Sequence, residues 1–439
     1  MPTAIEQTLQ ALQIIVQSVP VGTNLALIHL MWTILNGSFL GSRGAIFPAL
    51  QESGFSAEEI RRSWQAMRYG AWCIDDLLKS WRDYVKEQGA WQVHKYEGYR
   101  PLAVDLTAFW RLRLKGWMGK YFNGLANRMV KGIGFALVVE VGQLAGQRLP
   151  LLRKILRAEA SELSQKELKQ KALSWVGKNL EKEEVLVFDA GAHISELQSA
   201  SVKRYVLRLA SNCTARRNYL PEYSGRGRKP QSGQRVRPLP RQRKGKLLTA
   251  TEPDFETSFE LEGRTIRAHS WSNLVLCDVK VDPSVETFSI WVFFDPLYTD
   301  PLVLGTNLSL QPLSLFGLYL DRWPVEQVPL VAKQMLGLHR QFVFAPESCQ
   351  RLPELAMLVG NVLSYLALVL PTMPTGFWDR CPKKTTGRLR RRLARAHFPQ
   401  VALNHRQIRK KNSVTDHLPK GIAAHRRQKQ PELVSPIAA

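Results

Sequence analysis

Two short apolar runs, each closed by an aspartate, restrict what this 439-residue chain can fold into. Pro101-Leu-Ala-Val-Asp105-Leu-Thr107 reads as a strand that delivers a carboxylate at its end. In Val185-Leu-Val-Phe-Asp189-Ala-Gly191, four apolar residues form a buried strand, and the aspartate is followed by a glycine turn. Between them, Gly132–Gly142 is a Val- and Gly-rich strand, and Ala145–Leu152 is a turn leading into the next one. Ser164-Gln-Lys-Glu167 is a capping box opening a helix to about Leu180, with Leu168, Ala172, Trp175 and Val176 on its apolar side. A helix from Ser195 and a strand over Arg204–Ala210 follow. Strands with intervening helices predict a mixed sheet with helices on both faces, an α/β arrangement within a chain that is α+β as a whole.

Residues 1–95 read as a helical domain. Ala45–Glu52 is a short helix, Gly54 breaks it, and Ser56-Ala-Glu-Glu59 caps a second helix through Met67, with a third over Trp72–Tyr84. With Arg61, Arg62 and Arg68 this is compatible with a helix-turn-helix reader of DNA or with an ordinary helical hairpin. Residues 96–210 and 301–372 are expected to form the two parts of a core. The stretch from Asp189 to Glu326 is too long for one connection, so residues 211–300 are predicted to be an insertion. It begins with a basic Pro/Gly-rich loop containing Arg226, Arg228 and Lys229, partly solvated and suited to tracking a phosphate backbone. Mainly β structure follows, with runs over Phe255–Leu261, Leu274–Val281 and Phe288–Phe294. Trp271 and Trp291 are expected in its core. Helices over Leu336–Val343 and Leu352–Leu370 close the core, and residues 373–439 form a basic tail.

The formal net charge of +24, from 61 Lys and Arg against 37 Asp and Glu, calls for a polyanionic partner. Nucleic acid is the first choice and an anionic membrane surface the second. Five cysteines with no Cys-x-x-Cys pair argue against a zinc ribbon or a disulfide framework and for a reducing compartment. The start carries Glu6 and no basic run, which makes a poor signal peptide. The apolar runs Leu25–Leu35 and Leu355–Leu370 fall short of the roughly 20 residues a membrane span needs, so both are expected as core helices.

Tyr319, Arg322, Glu326 and Lys333 stand at a spacing that, on one continuous helix, places a phenol, a guanidinium, a carboxylate and an ammonium on one face. A carboxylate among cations suits a metal-dependent phosphate site: the acid holds a divalent cation while Arg and Lys hold phosphate oxygens. Pro324 suits a first helical position, whereas Pro329 should kink or restart the helix. The same four residues at the same spacing resemble the signature of DDE transposases of bacterial insertion sequences, of the insertion-sequence family four type. Four fixed identities arise by chance about once in 10⁵ starts. The Asp-x-Thr at Asp105 and the Asp-x-Gly at Asp189 are similar to that family's first and second catalytic aspartates.

The resemblance implies an RNase H-like core, interrupted by the β insertion, in which Asp105, Asp189 and Glu326 bind two Mg²⁺ ions, with Mn²⁺ able to substitute. It implies cleavage at insertion-sequence ends and strand transfer into target DNA. Tyr319, Arg322 and Lys333 would hold the phosphates of the DNA end, and an aromatic of the insertion, Trp271 or Trp291, could stack on a displaced base. The implied partners are double-stranded DNA and a second copy of the chain in a synaptic homodimer, without a membrane, in the bacterial cytoplasm on the nucleoid. Two other readings fit the same residues: a transposase-derived DNA-binding protein without catalysis, and a structure-selective nuclease on the same core.

Overall fold

The computed structural model describes residues 2–399 apart from Val21, Leu125, Ala160, Glu162, Leu163, Ser224, Arg226, Lys244 and Arg395. The basic tail beyond Pro399 therefore lies outside the described residues. In chain order the helices are α1 (Pro2–Val16), α2 (Leu27–Asn36), α3 (Ser38–Gly41), α4 (Ile46–Glu52), α5 (Ala57–Tyr69), α6 (Ile74–Glu87), α7 (Gln165–Asn179), α8 (Ile194–Ser199), α9 (Pro312–Leu320), α10 (Pro324–Leu330), α11 (Pro346–Val369) and α12 (Thr386–Leu393). The strands are β1 (Gln92–Val93), β2 (Arg100–Trp110), β3 (Lys120–Asn123), β4 (Arg128–Leu144), β5 (Gln147–Arg157), β6 (Glu184–Phe188), β7 (Tyr205–Arg208), β8 (Ala215–Arg217), β9 (Arg235–Val236), β10 (Arg241–Arg243), β11 (Lys246–Leu248), β12 (Phe255–Leu261), β13 (Arg264–Val275), β14 (Phe288–Phe294) and β15 (Leu302–Thr306). The chain is mixed α+β, as expected, and divides into two compact units. One gathers residues 1–92, 106–165 and the chain from Glu326 on, and the other gathers 93–105 and 166–325.

The first unit is built around α11. Its apolar window is long enough to cross a membrane, yet 89% of that window is buried within the protein, which makes it a core helix. It spans 24 residues and starts at Pro346, earlier than the apolar run alone indicated, because polar Ser348, Gln350, Arg351 and Glu354 are also buried. Gln350, Arg351 and Glu354 are hydrogen-bonded to other elements of the unit. The Arg351 guanidinium donates to the carbonyls of Met67 and Gly70 and lies over the Trp72 ring, tying the end of α5 to α11. Asn361 accepts from the Trp81 indole and donates to the Pro150 carbonyl, joining α6, α11 and β5. Glu354, fully buried, takes a two-pronged pair from Arg157 of β5 at 2.5 and 2.6 Å. The capping box at Ser56 is formed as its sequence predicts, with Glu59 Oε2 accepting from the Ser56 amide at 2.8 Å. The sheet of this unit is the antiparallel set β3–β4–β5 with the second half of β2 alongside, where Gly132 lies against the Phe109 carbonyl.

The second unit holds a sheet in which β2, β6 and β7 are parallel and β7, β15, β14, β13, β8 and β9 continue antiparallel. β12 and β13 form a hairpin turning at Glu262-Gly263, both with positive φ. The expected strands over Phe255–Leu261 and Phe288–Phe294 form with those bounds, but the one over Leu274–Val281 does not. The strand there is Arg264–Val275, whose exposed alternate residues Arg267 and Ser272 hide it from an apolar-run reading; beyond Val275 the chain turns. Helix α9 lies on one sheet face: Leu315, Phe316, Leu318 and Tyr319 pack with Val185, Val187, Val206, Phe293 and Leu304.

Removing Arg157 leaves the Glu354 carboxylate buried without its main partner. Arg157→Met is expected to destabilise the chain by about 3 kcal/mol in denaturant unfolding, and Arg157→Met with Glu354→Leu to recover most of that loss. Equal stability of wild type and single variant would contradict this.

Candidate functional site

The site is set by register. β2 and β6 run parallel with Ala103 opposite Val187. That is the last paired position: Asp105 lies two residues further on, in the middle of β2 and not at the strand end its sequence suggested, and Asp189 directly follows the last residue of β6. Ala103 and Asp105 share a face of β2 with the paired Val187 of β6, and Val187 is packed against α9. Short apolar strands hold the backbone, so the two carboxylates emerge from rigid positions. Asp105 is half-buried, and the Asp189 side chain is 37% exposed.

Asp189 collects polar neighbours from three elements of its unit. The Tyr319 phenol at the end of α9 donates to Asp189 Oδ1 at 3.3 Å. The Arg322 guanidinium stands 3.7 Å from Oδ2, and Arg208 at the end of β7 stands 3.6 Å from Oδ1. Arg322 is buried and reaches over the exposed Trp323 ring. Burial, reinforced by the Asp189 charge, pushes the Tyr319 phenol up to about 12. A concavity of about 240 Å³ opens beside these residues, lined by Arg208, Phe293, Tyr298, Tyr319 and Trp323 among others.

The single helical face expected over Tyr319–Lys333 is corrected. Tyr319 ends α9, Arg322 sits in the turn Asp321–Trp323, Glu326 is in the first turn of α10, and Lys333 lies in a π-helical turn over Val331–Met335. Pro324 starts α10. After Pro329 the winding loosens, so that the Leu336 amide bonds the Val331 carbonyl. The helix expected over Leu336–Val343 is absent. Gly337, with φ of 77°, reverses the chain, and the Leu338 and His339 amides cap the Ala332 and Lys333 carbonyls. The turn that carries Arg322 is fixed by its neighbour Asp321. That fully buried carboxylate accepts from the Tyr96 phenol at 2.9 Å and lies 2.7 Å from His94 Nδ1. Gly317 makes room for the Tyr96 ring, since a Cβ there would come within 2.7 Å of it.

The two aspartates and Tyr319 and Arg322 thus belong to one unit, while Glu326 and Lys333 belong to the other. Within the latter, Lys333 Nζ donates to Thr107 Oγ1 at 2.7 Å and lies 5.1 Å from the centre of the Phe109 ring. Arg228 and Lys229 are exposed in an irregular segment, and Arg226 lies outside the described residues. Trp271 is core: it is buried and its indole donates to the Glu252 carbonyl at 2.9 Å. Trp291 is half-buried and stacks on Phe293. Among the described residues, no three His, Cys, Asp or Glu side chains form a ready metal cage. Arg208, Asp321, His94 and Tyr96 were not singled out in the sequence. Asp321, inside the signature, was the one signal that could have been read. No protein-family model matches the chain, and no curated protein does.

In the unfolded chain Tyr319 ionises near its ordinary value of 10.0, so the stability it contributes is whole below that pH and is lost as pH rises towards about 12. Unfolding of wild type and Tyr319→Phe across that window should show a shallower loss in the variant. Identical slopes would mean the phenol is not held protonated by burial and Asp189.

Proposed function

We propose that this chain is a DNA transposase of the DDE type, with an RNase H-like core, that cuts phosphodiesters at the ends of an insertion sequence and joins them to target DNA. The observation that carries the reading is that two residues of the four-residue signature, Tyr319 and Arg322, meet Asp189, the aspartate that ends the second apolar strand. The spacing in the sequence and the contact in space involve the same two residues. The parallel pairing of β2 with β6 supports it, since Asp105 and Asp189 each lie two residues beyond the last paired positions, Ala103 and Val187.

Asp105 on β2 and Asp189 just past the neighbouring β6 offer carboxylate oxygens, the donor type a hard divalent cation takes. Asp105 and Asp189 would hold Mg²⁺ or Mn²⁺, with Glu326 as the third carboxylate. Such ions supply Lewis-acid activation of the attacking hydroxyl and relief of charge at the leaving oxygen. The chain's own groups do the rest. Arg208 and Arg322 offset the charge of Asp189 and present N–H donors to a phosphate brought against it. Tyr319, kept protonated by burial, is a hydrogen-bond donor at that position across the physiological range. Lys333, anchored to Thr107, and the exposed Arg228 and Lys229 would hold backbone phosphates. The net charge of +24 supplies the long-range attraction to duplex DNA. A second copy of the chain would complete a synaptic complex of two ends.

The test is Mg²⁺-dependent nicking of a duplex carrying the sequence that flanks the coding region. Asp105→Asn, Asp189→Asn and Glu326→Gln should each lower nicking by about a thousandfold or more, the worth of several kcal/mol of transition-state stabilisation, with binding retained. Binding without nicking by the wild type would leave a DNA-binding protein; nicking without joining of pre-cut ends would leave a nuclease.

A further inference from the structure

Residues 111–133 contribute none of the groups just described, yet they are chemically biased. They carry Arg111, Arg113, Lys115, Lys120, Arg128 and Lys131 and no acidic residue. Part of this stretch forms the β3–β4 hairpin, with Lys120 opposite Lys131, Tyr121 opposite Val130, Phe122 opposite Met129 and Asn123 opposite Arg128. Its two faces differ. Tyr121 and Val130 are buried, and the Tyr121 ring fills the space left by the missing side chain of Gly134. On the other face Phe122 is 54% exposed and Met129 is 49% exposed, with Lys120 and Lys131 one pair further from the tip. Leu112 and Met118 are exposed nearby, beside a shallow concavity of about 660 Å³ lined by Gly116, Trp117, Met118, Lys120 and Lys131.

An apolar cross-strand pair backed by a cation pair needs an occupant that is anionic at its edges and apolar in a narrow slot. In a strand, residues two apart are roughly 7 Å apart. The cations therefore stand behind the wedge by about the depth of a minor groove, roughly 7.5 Å, level with the phosphates at its rim. Phe and Met are side chains that part base steps when driven in from that groove. A lipid surface would share the charge, but membrane binding draws on a broader apolar face than one pair on a two-stranded ribbon. We infer that the β3–β4 hairpin is a DNA-deforming wedge: Phe122 and Met129 enter the minor groove and unstack a base step while Lys120 and Lys131 hold the flanking phosphates. For its partner this rests on the DNA-acting reading, but it needs none of the carboxylate chemistry.

The full chain with an end-labelled duplex, read by energy transfer between the labels, tests it. Wild type should bring the ends together, consistent with a kink of roughly 20–90°. Phe122→Ser with Met129→Ser should abolish that gain while changing affinity far less than the bend. Lys120→Gln with Lys131→Gln should weaken binding and reduce the slope of log affinity against log salt by about 2. All four positions are at the surface of the hairpin, so the variants keep its buried face. Binding without bending by the wild type, or a bend untouched by the Phe122 and Met129 changes, would overturn the proposal. So would a defect of that double variant seen only on phosphatidylserine vesicles. The same preparations assayed for Mg²⁺-dependent nicking separate the two claims: hairpin-dependent bending without nicking strikes only the transposase reading, and nicking with hairpin-independent bending strikes only this one.

Discussion

The parallel pairing of β2 with β6 is the constraint on which the candidate site depends. Ala103 opposite Val187 sets the face on which Asp105 lies, because a slip of one residue would put it on the opposite side from Val187 and α9. The register is held by burial: Leu102, Ala103, Leu186 and Val187 are fully enclosed, and a slipped pairing would expose some of them or bury an acid. Helix α9 adds the second restraint. Its apolar residues lie on Val185 and Val187, and so its last turn delivers Tyr319 to the end of β6, where Asp189 begins the turn.

The charge balance around Asp189 shows why its environment is worth the cost of partly burying cations. Arg322 is almost wholly enclosed, which is expensive for a guanidinium unless something nearby is anionic. Asp189 offers that charge, and Trp323 offers a ring face. One residue earlier in the chain, Asp321 is enclosed too and is satisfied by Tyr96 and His94. Two adjacent residues of one turn thus face two different polar clusters of the same unit. A turn so anchored positions its guanidinium far better than an exposed helix face would, and the distinction bears on function because phosphate recognition by arginine depends on its orientation.

The first unit solves a different problem with the same physics. Its central helix α11 is apolar enough for a membrane, but it is studded with Arg351, Glu354 and Asn361, each used to fasten a separate neighbour. These polar groups would be costly in lipid and are satisfied inside the protein. The β3–β4 hairpin has the opposite composition for its position, with apolar side chains exposed and every charge of one sign. Core polarity here serves assembly, and surface apolarity is the feature left over for a partner.

The amino-acid sequence by itself determined the secondary structure wherever a signal was local: the capping box at Ser56, the strand runs at Phe255–Leu261 and Phe288–Phe294, the apolar strand that ends just before Asp189, and the disruptive effect of Pro329, whereas the strand expected to end at Asp105 runs on to Trp110. It also set the net charge, which depends on no contact at all. It misplaced Leu274–Val281 and Leu336–Val343, because a half-exposed strand alternates polar residues and because a glycine in the left-handed region ends a helix that composition would have continued. Only the tertiary structure decided that Arg208 joins Arg322 at Asp189, that Asp321 anchors its turn through His94 and Tyr96, and that the signature is split between α9, a turn, α10 and a π-helical turn rather than laid along one face. Those outcomes depend on strand register and helix packing between residues more than a hundred positions apart, and a spacing rule along the chain carries no information about which distant side chain will fill a given direction in space.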